Sequence, residues 1–183
     1  MRTAIFGGTF DPIHSAHLTV AHEAAEAFGL DRVLFIPAGN PPHKEAGASY
    51  QDRFRMVELA CAADPRFEPS RLEEGREKSY SINTIERLMA PGQTLLFIIG
   101  ADAFAEIRTW HRWEEVVRDV EFIVVTRPGH DYSSPPGARV HRLDTVALPV
   151  SSSEIRQEIA KGATPSVLLP AVAGYIHEHR LYR

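Results

Sequence analysis

The sequence predicts an α/β fold in which helices cover both faces of an open, mainly parallel sheet. Short runs rich in β-branched and aromatic residues alternate along the chain with longer segments of helical periodicity. Parallel strands need long crossover connections, and the helical segments are long enough to supply them. Because 183 residues suffice for one compact core, we expect a single domain over residues 1–183, with ligands at the carboxyl ends of the strands.

Local patterns give the order of the elements. Strands are predicted over residues 3–6, 33–37, 94–99 and 121–126. Helical segments are predicted over residues 14–28, 50–63, 81–89, 103–118, 151–161 and 170–179. Gly29 can end the first helix, Ser49 can cap the second, and Pro170 suits the first turn of the last. The stretch 127–137 is rich in proline and glycine, which predicts a loop leading into the run 139–148.

The composition excludes several classes of protein. The 20 Lys and Arg residues against 24 Asp and Glu residues give a net charge of −4 without a basic block, which argues against a nucleic-acid partner. No stretch approaches the roughly 20 apolar residues of a membrane helix, and the first residues lack a secretory signal, so we expect a cytoplasmic protein. The single cysteine, Cys61, is expected to be a small buried side chain. The oligomeric state stays open, and a homo-oligomer is compatible with the sequence.

The segment GGTFDPIHSAH (7–17) follows the first predicted strand and leads into the first helix. Unpaired N–H groups and the helix dipole favour an anion at such a place, and paired glycines let the backbone approach a phosphate. His14 and His17 are three residues apart, so both can point from one helix face toward the same ligand. The alternative is a glycine turn with two core histidines. The segment is neither a GxGxxG fingerprint nor a P-loop.

A second segment, PVSSSEIR (149–156), repeats this arrangement. Ser151 and Glu154 fit a capping box, so a purely structural interpretation explains both. Arg156 needs another explanation, because an arginine near a serine-rich helix start can contact phosphate. Lys44 is a further cation, on a proline-stiffened loop after the second strand, where a solvated surface lysine is the alternative.

These groups suit a polyphosphate, whereas the sequence offers no evident nucleophile, general base or metal cage. Phosphoryl and nucleotidyl transfer both need little more than in-line positioning and neutralisation of developing charge. Magnesium is expected to arrive on the phosphates of the nucleotide rather than in a protein site.

The two segments resemble the paired signatures of the nucleotidyltransferase superfamily that shares the HIGH-type motif. Along almost the whole chain, the sequence resembles the bacterial nicotinate mononucleotide adenylyltransferase family. Supporting segments are FIPAGNPPHK (35–44), SYSINT (79–84), FIIGAD (97–102), TWHRWEE (109–115), VTRPG (125–129) and LLPAVAGYIHEHRLYR (168–183). The resemblance implies a Rossmann-like fold and the transfer of AMP from ATP to nicotinate mononucleotide, which gives deamido-NAD and pyrophosphate. It implies no covalent enzyme intermediate.

The resemblance also implies roles for single residues. His14, His17 and Arg156 would act on the phosphates in the transition state. ATP would be bound by Gly7, Gly8, Thr9, Phe10, Lys44, Gly100, Asp102, Ser152 and Ser153. The mononucleotide would be bound by Ser81, Ile82, Thr84, Trp110, His111 and Arg127, with Trp110 stacking on the ring.

The sequence departs from the family pattern at Ala16, where the family has glycine, and at Ser81 and Ser153, where threonine is common. The two serines are conservative replacements, and two other interpretations stay open, of which only the second draws on Ala16. One is a transferase of the same superfamily with nicotinamide mononucleotide or phosphopantetheine as acceptor, and the other is a nucleotide-binding module without catalysis. An aminoacyl-tRNA synthetase is excluded by the chain length and by the lack of a KMSKS-like segment.

Overall fold

The computed structural model describes residues 1–41, 45–75, 78–147 and 150–183. Within these ranges, six strands form one sheet. They are β1 (Arg2–Gly8), β2 (Arg32–Pro37), β3 (Phe67–Pro69), β4 (Thr94–Gly100), β5 (Glu121–Thr126) and β6 (Arg139–Asp144). The order across the sheet is β3-β2-β1-β4-β5-β6, and every neighbouring pair is parallel. The predicted α/β class, with its open parallel sheet, is confirmed.

Helices cover both faces of the sheet. They are α1 (Ser15–Phe28), α2 (Tyr50–Cys61), α3 (Ser81–Leu88), α4 (Ala101–Ala105), α5 (Trp113–Asp119), α6 (Ser152–Ala160) and α7 (Pro170–Glu178). Alternate strand residues feed two cores, with Ala4 of β1 in one and Ile5 in the other. The first core is shared by α1, α2, α6 and α7, and the second by α3, α4 and α5. Burial on both faces explains why the central strands β1, β2, β4 and β5 are largely apolar, whereas the edge strand β6 is mostly polar.

Several predicted helix boundaries are confirmed within one or two residues. His14 is the N-cap residue of α1, and Gly29 ends that helix in the left-handed conformation at φ 58°. Ser49 caps α2 by accepting the backbone N–H of Asp52 at 3.1 Å. Cys61 is free and buried in the first core, and burial raises the pKa of its thiol to about 12.

Other elements differ from the prediction. The helical segment expected over 103–118 is divided into α4, a short 3₁₀ helix Ile107–Thr109, and α5. The division lies where Thr109 Oγ1 donates to the Glu106 carbonyl and where Arg112 adopts a left-handed φ of 53°. The short strand β3 was not predicted, and the run 139–148 contains β6. None of the described helices is both long enough and apolar enough to cross a membrane.

The topology places a crevice at the carboxyl edge of the sheet. β1 pairs with β2 on one side and with β4 on the other, so the direction of winding reverses between β1 and β4. The segments that follow these two strands therefore diverge to opposite faces of the sheet. Ligands of open parallel sheets bind in the crevice at such a reversal.

Candidate active site

The two sequence segments 7–17 and 149–156 meet in one hollow at the carboxyl edge of the sheet. We call it the histidine hollow, and its walls include Thr9, Phe10, Asp11, His14, His17, Glu45, Ser152, Ser153 and Arg156. Two hydrogen bonds join the segments directly. Ser152 Oγ donates to the carbonyl of Pro12 at 3.1 Å, and an Nη atom of Arg156 donates to the carbonyl of Asp11 at 2.8 Å. The structure thus brings together side chains that are about 140 positions apart in the sequence.

His14 and His17 form a stacked pair, with ring centroids 3.9 Å apart. Nδ1 of His17 accepts the backbone N–H of His14 at 3.2 Å. A neutral His17 therefore carries its proton on Nε2, where it is available to a ligand. His14 is 3% exposed, and its buried Nδ1 has no partner among the described residues.

Burial makes both imidazoles neutral at neutral pH. It lowers the pKa of His14 to about 4. Burial, followed in importance by the charge of neighbouring His14, lowers the pKa of His17 well below its usual range. Both rings therefore act as neutral hydrogen-bond groups in the free protein. A bound anion would stabilise the protonated forms, so anion binding should raise both pKa values.

The two helix starts contribute to the histidine hollow in different ways. At α6, Ser151 Oγ accepts the N–H of Glu154, whereas the N–H groups of Ser152 and Ser153 have no partner inside the helix. At α1, the N–H of Ser15 already donates to the Val167 carbonyl at 2.8 Å. At the start of α1 the Ser15 N–H is therefore already paired, and the imidazoles of His14 and His17 are the groups from this helix that line the histidine hollow.

A second hollow, which we call the tryptophan hollow, lies beside the first. It is lined by Gly7, Gly8, Thr9, Glu73, Ser81, Thr84, Gly100 and Trp110, among others. Trp110 packs edge-on against Phe97, with ring centroids 5.7 Å apart, while the rest of the side chain faces the hollow. Thr84 Oγ1 donates to Glu73 Oε1 at 2.9 Å, which links α3 to the loop before it.

Two residues expected in this hollow are placed differently. The side chain of Ile82 is fully buried in the second core, so only its backbone at the start of α3 can meet a ligand. His111 is exposed and packs on the ring of Tyr80, with centroids 4.5 Å apart, outside the hollow's wall. The family resemblance points to backbone N–H groups near Ser81, Ile82 and His111 as the contacts to the nicotinate carboxylate, and this stays a prediction.

A third hollow, the aspartate hollow, is lined by Gly100, Asp102, Thr126, Arg127 and Thr145. Asp102 lies in the first turn of α4, and the N-cap residue there is Gly100, so capping does not explain the carboxylate. Arg127 lines this hollow and does not line the tryptophan hollow that contains Trp110. Thr9 lines both the histidine and tryptophan hollows, and Gly100 lines both the tryptophan and aspartate hollows. The tryptophan hollow therefore shares one wall residue with each of the other two, and we refer to the three hollows together as the crevice.

Phe10 has a structural part in the crevice. Its backbone is left-handed at φ 50°, and its side chain is 3% exposed in the first core. The ring lies 5.1 Å from that of His17 and would touch a Cβ atom added to Gly8 at 3.2 Å. Phe10 thus packs against His17, and a side chain at position 8 would make the ring shift by a few tenths of an ångström.

Arg53 is a buried arginine beside the crevice that was not among the residues predicted for the site. It is 2% exposed and donates to the carbonyls of Thr9 at 2.8 Å, Ala38 at 2.9 Å and Ala48 at 3.3 Å. The guanidinium group thereby joins the segment after β1 to both ends of the connection between β2 and α2. The sequence pattern could have indicated this burial, because Arg53 lies four residues before the buried Val57 and therefore on the same, apolar face of α2.

Lys44 lies outside the described residues. Ala16, the departure from the family pattern, is on α1 and does not belong to the walls of the three hollows. Within the described ranges, no three His, Cys, Asp or Glu side chains are grouped closely enough to hold a metal ion.

The fold and the crevice are those of a nucleotidyltransferase, and the model of the cytidylyltransferase-like family matches residues 5–158. The chain is 60% identical over 188 residues, with 100% of both chains covered, to a Solibacter usitatus protein named "Probable nicotinate-nucleotide adenylyltransferase". It is 42% identical over 187 residues, again with 100% of both chains covered, to a Thermus thermophilus protein of the same name. The chain belongs to the nicotinate-nucleotide adenylyltransferase family.

Solved structures agree on the fold. One is the Plasmodium falciparum nicotinic acid mononucleotide adenylyltransferase complexed with NaAD, with a TM-score of 0.82 over 99% of this chain and 97% of that chain at 21% identity. The same protein complexed with APC gives a TM-score of 0.80 over 99% and 96% of the two chains at 20% identity.

Proposed function

We propose that the protein transfers AMP from ATP to nicotinate mononucleotide, giving deamido-NAD and pyrophosphate. The observation that carries the proposal is that a hollow rich in phosphate-binding groups shares Thr9 with a hollow lined by the aromatic side chain of Trp110. Membership of the family supports the same acceptor. The reaction joins two nucleotides, and a crevice at the reversal between β1 and β4 suits such a pair of ligands.

Each hollow receives one part of the substrates in this proposal. The triphosphate of ATP occupies the histidine hollow, where Ser152, Ser153 and Arg156 supply N–H donors and positive charge. The adenosine lies toward the aspartate hollow, where Asp102 accepts from ribose hydroxyls. Arg127 then acts on the ATP side of the site.

The mononucleotide occupies the tryptophan hollow, with its ring on Trp110. Gly7 and Gly8, at the end of β1, let the chain approach the sugar and phosphate closely. The backbone N–H groups of Ser81 and Ile82, in the first turn of α3, are the donors for the carboxylate of the nicotinate ring.

The chemistry is a direct displacement. An oxygen of the mononucleotide phosphate forms a bond to the α-phosphorus of ATP while the bond from that phosphorus to the pyrophosphate oxygen breaks. The pyrophosphate leaves with the electron pair. Negative charge grows on the oxygens around the α-phosphorus and on the leaving group, and the Nε2–H of His17, the His14 ring and Arg156 stabilise it.

We propose that magnesium enters as part of the ATP substrate, held by its phosphates. The wall of the histidine hollow contains two carboxylates, Asp11 and Glu45. Asp11 already accepts the N–H groups of Gly47 and Ala48, so the wall offers few oxygen ligands for a magnesium ion of its own. The protein would thus bind the magnesium complex of ATP through its phosphate oxygens.

Further parts of the proposal concern the whole protein. One sheet connects the described ranges, which supports a single domain over residues 1–183. A net charge of −4 supports small nucleotides over nucleic acid as partners, and we propose that the reaction takes place in the cytoplasm.

Pyrophosphate release tests the function. The protein is supplied with magnesium and ATP, and nicotinate mononucleotide, nicotinamide mononucleotide and phosphopantetheine are added separately at equal concentration. We expect strong preference for the first. Preference for another acceptor would keep the chemistry and change the substrate, and ATP binding without release for any acceptor would indicate a binding module.

A further inference from the structure

The segment after α7 returns to the histidine hollow. Arg180 and Tyr182 both have left-handed backbones, with φ values of 52° and 64°, and these turn the chain after the helix. Non-glycine residues avoid this region, so tertiary contacts must hold them there. Leu181 and Tyr182 pack against the first core, which provides part of that support.

The hydroxyl group of Tyr182 donates to Asp11 Oδ1 at 2.6 Å. The Asp11 side chain is only 4% exposed, so its charge must be satisfied by the protein. It also accepts the N–H of Ala48 at Oδ1, at 3.1 Å, and the N–H of Gly47 at Oδ2, at 2.6 Å. Burial, followed by the hydrogen bond to Asp11, raises the pKa of Tyr182, so the hydroxyl keeps its proton and remains a donor.

Asp11 in turn holds Arg156. The guanidinium group lies 3.7 Å from Asp11 Oδ2 and donates to the Asp11 carbonyl at 2.8 Å. A Cβ atom added to Gly47 would lie 3.2 Å from Arg156 Cδ and 3.3 Å from the ring of Tyr182. The arginine stem and the tyrosine ring therefore pack on the same glycine, on which a side chain would displace them.

We propose that Tyr182 is a positioning residue for the transfer reaction, because its hydroxyl fixes the Asp11 carboxylate that orients Arg156 toward the phosphates. Tyr182 does not belong to the walls of the three hollows, so it acts through Asp11 and Arg156 rather than on substrate. The inference rests on the proposed function, because in that function Arg156 binds the phosphates of ATP.

The variant Tyr182→Phe removes the hydroxyl and keeps the ring. We expect kcat/KM for ATP to fall about tenfold, as when a hydrogen bond to a charged group is lost, while KM for nicotinate mononucleotide is unchanged. The matched control is Tyr175→Phe, since Tyr175 donates to Asp52 Oδ1 at 2.9 Å and lies away from the hollows. Unchanged kinetics in Tyr182→Phe, or the same decrease in both variants, would overturn the proposal.

A double-mutant cycle shows whether Tyr182 acts through Arg156. In an Arg156→Ala background, Tyr182→Phe should have little further effect, whereas a full tenfold fall there would mean that the two residues act independently and would overturn the proposal. Binding of inorganic pyrophosphate, measured by calorimetry, gives a second readout. We expect Tyr182→Phe alone to weaken it about tenfold, and an unchanged Kd would contradict the inference. If the unaltered protein releases no pyrophosphate with any acceptor, the proposed function fails, and this binding arm still decides the role of Tyr182.

Discussion

The two ring nitrogen atoms of His17 make different contacts, and substitutions can remove one contact while keeping the other. Nδ1 accepts the N–H of His14 at 3.2 Å, and Nε2–H is left for the phosphates. In His17→Asn, the side-chain oxygen takes the position of Nδ1 and no group replaces Nε2. In His17→Gln, the amide nitrogen replaces Nε2 and no group replaces Nδ1. The two variants should therefore lose different properties.

The size of each effect follows from the contacts. Loss of one donor to the developing charge lowers kcat by about 10²–10³, so we expect this fall in His17→Asn and a smaller one in His17→Gln. Loss of the Nδ1 acceptor leaves the N–H of the buried His14 unpaired, at a cost of about 1–3 kcal/mol. At roughly 2–4 °C per kcal/mol for a chain of this size, His17→Gln should melt several degrees below His17→Asn.

Steady-state pyrophosphate release and a thermal melt measure the two effects on the same preparations. His17→Ala serves as the reference that loses both nitrogen atoms, and it should be low in kcat and in Tm together. A kcat near that of the unaltered protein in His17→Asn would remove Nε2 from the mechanism. Equal Tm values for the Asn and Gln variants would mean that the bond to the His14 backbone does not stabilise the helix start.

Three further predictions concern the aromatic wall, the pH dependence and the buried arginine. Trp110→Ala should raise KM for the mononucleotide more than KM for ATP. The control is Trp113→Ala, which removes a core contact outside the hollow and should lower stability without changing one KM more than the other. Equal shifts of both KM values in Trp110→Ala would exclude stacking. Because folding lowers the pKa of His14 from 6.5 to about 4, the unfolded chain binds more protons between these values, so the free energy of unfolding should fall as pH drops through this window. Urea denaturation across the window should show a weaker dependence in His14→Gln, and an identical slope would refute this. Arg53→Met should cost about 3–5 kcal/mol because three carbonyls lose their donor, whereas Arg55→Met, on the exposed face of α2, should stay within about 0.5 kcal/mol in the same urea titration.

Elements with a strong local signal could be predicted from sequence. The apolar stripe from Ala21 to Ala25 and the glycine at 29 define α1, because neighbouring residues alone decide that helix and its end. The segment 103–118 shows the opposite case. Its composition suits helix throughout, but the left-handed Arg112 and its ion pairs with Glu86 and Glu115 divide it, and Glu86 is 26 positions away.

The site was predictable in its residue types but not in its arrangement. The two signature segments identified His14, His17 and Arg156, since their spacing at helix starts is recorded in the local sequence. Their grouping with one another depended on the sheet order. Arg127 shows the same limit, because its position after β5 did not indicate which hollow it would enter.

The alternation of strands and helices, the two signature segments and the class of chemistry they suit could all be predicted, because each is a pattern among residues within a few turns of one another. The contacts that support this chemistry depend on tertiary packing. The Asp11 carboxylate accepts hydrogen bonds from Gly47, 36 positions away in the sequence, and from Tyr182, 171 positions away. The Asp11 carbonyl accepts one from Arg156, 145 positions away. A buried charge must find its partners wherever the fold brings them, and that choice is made by the packing of distant elements rather than by any local pattern.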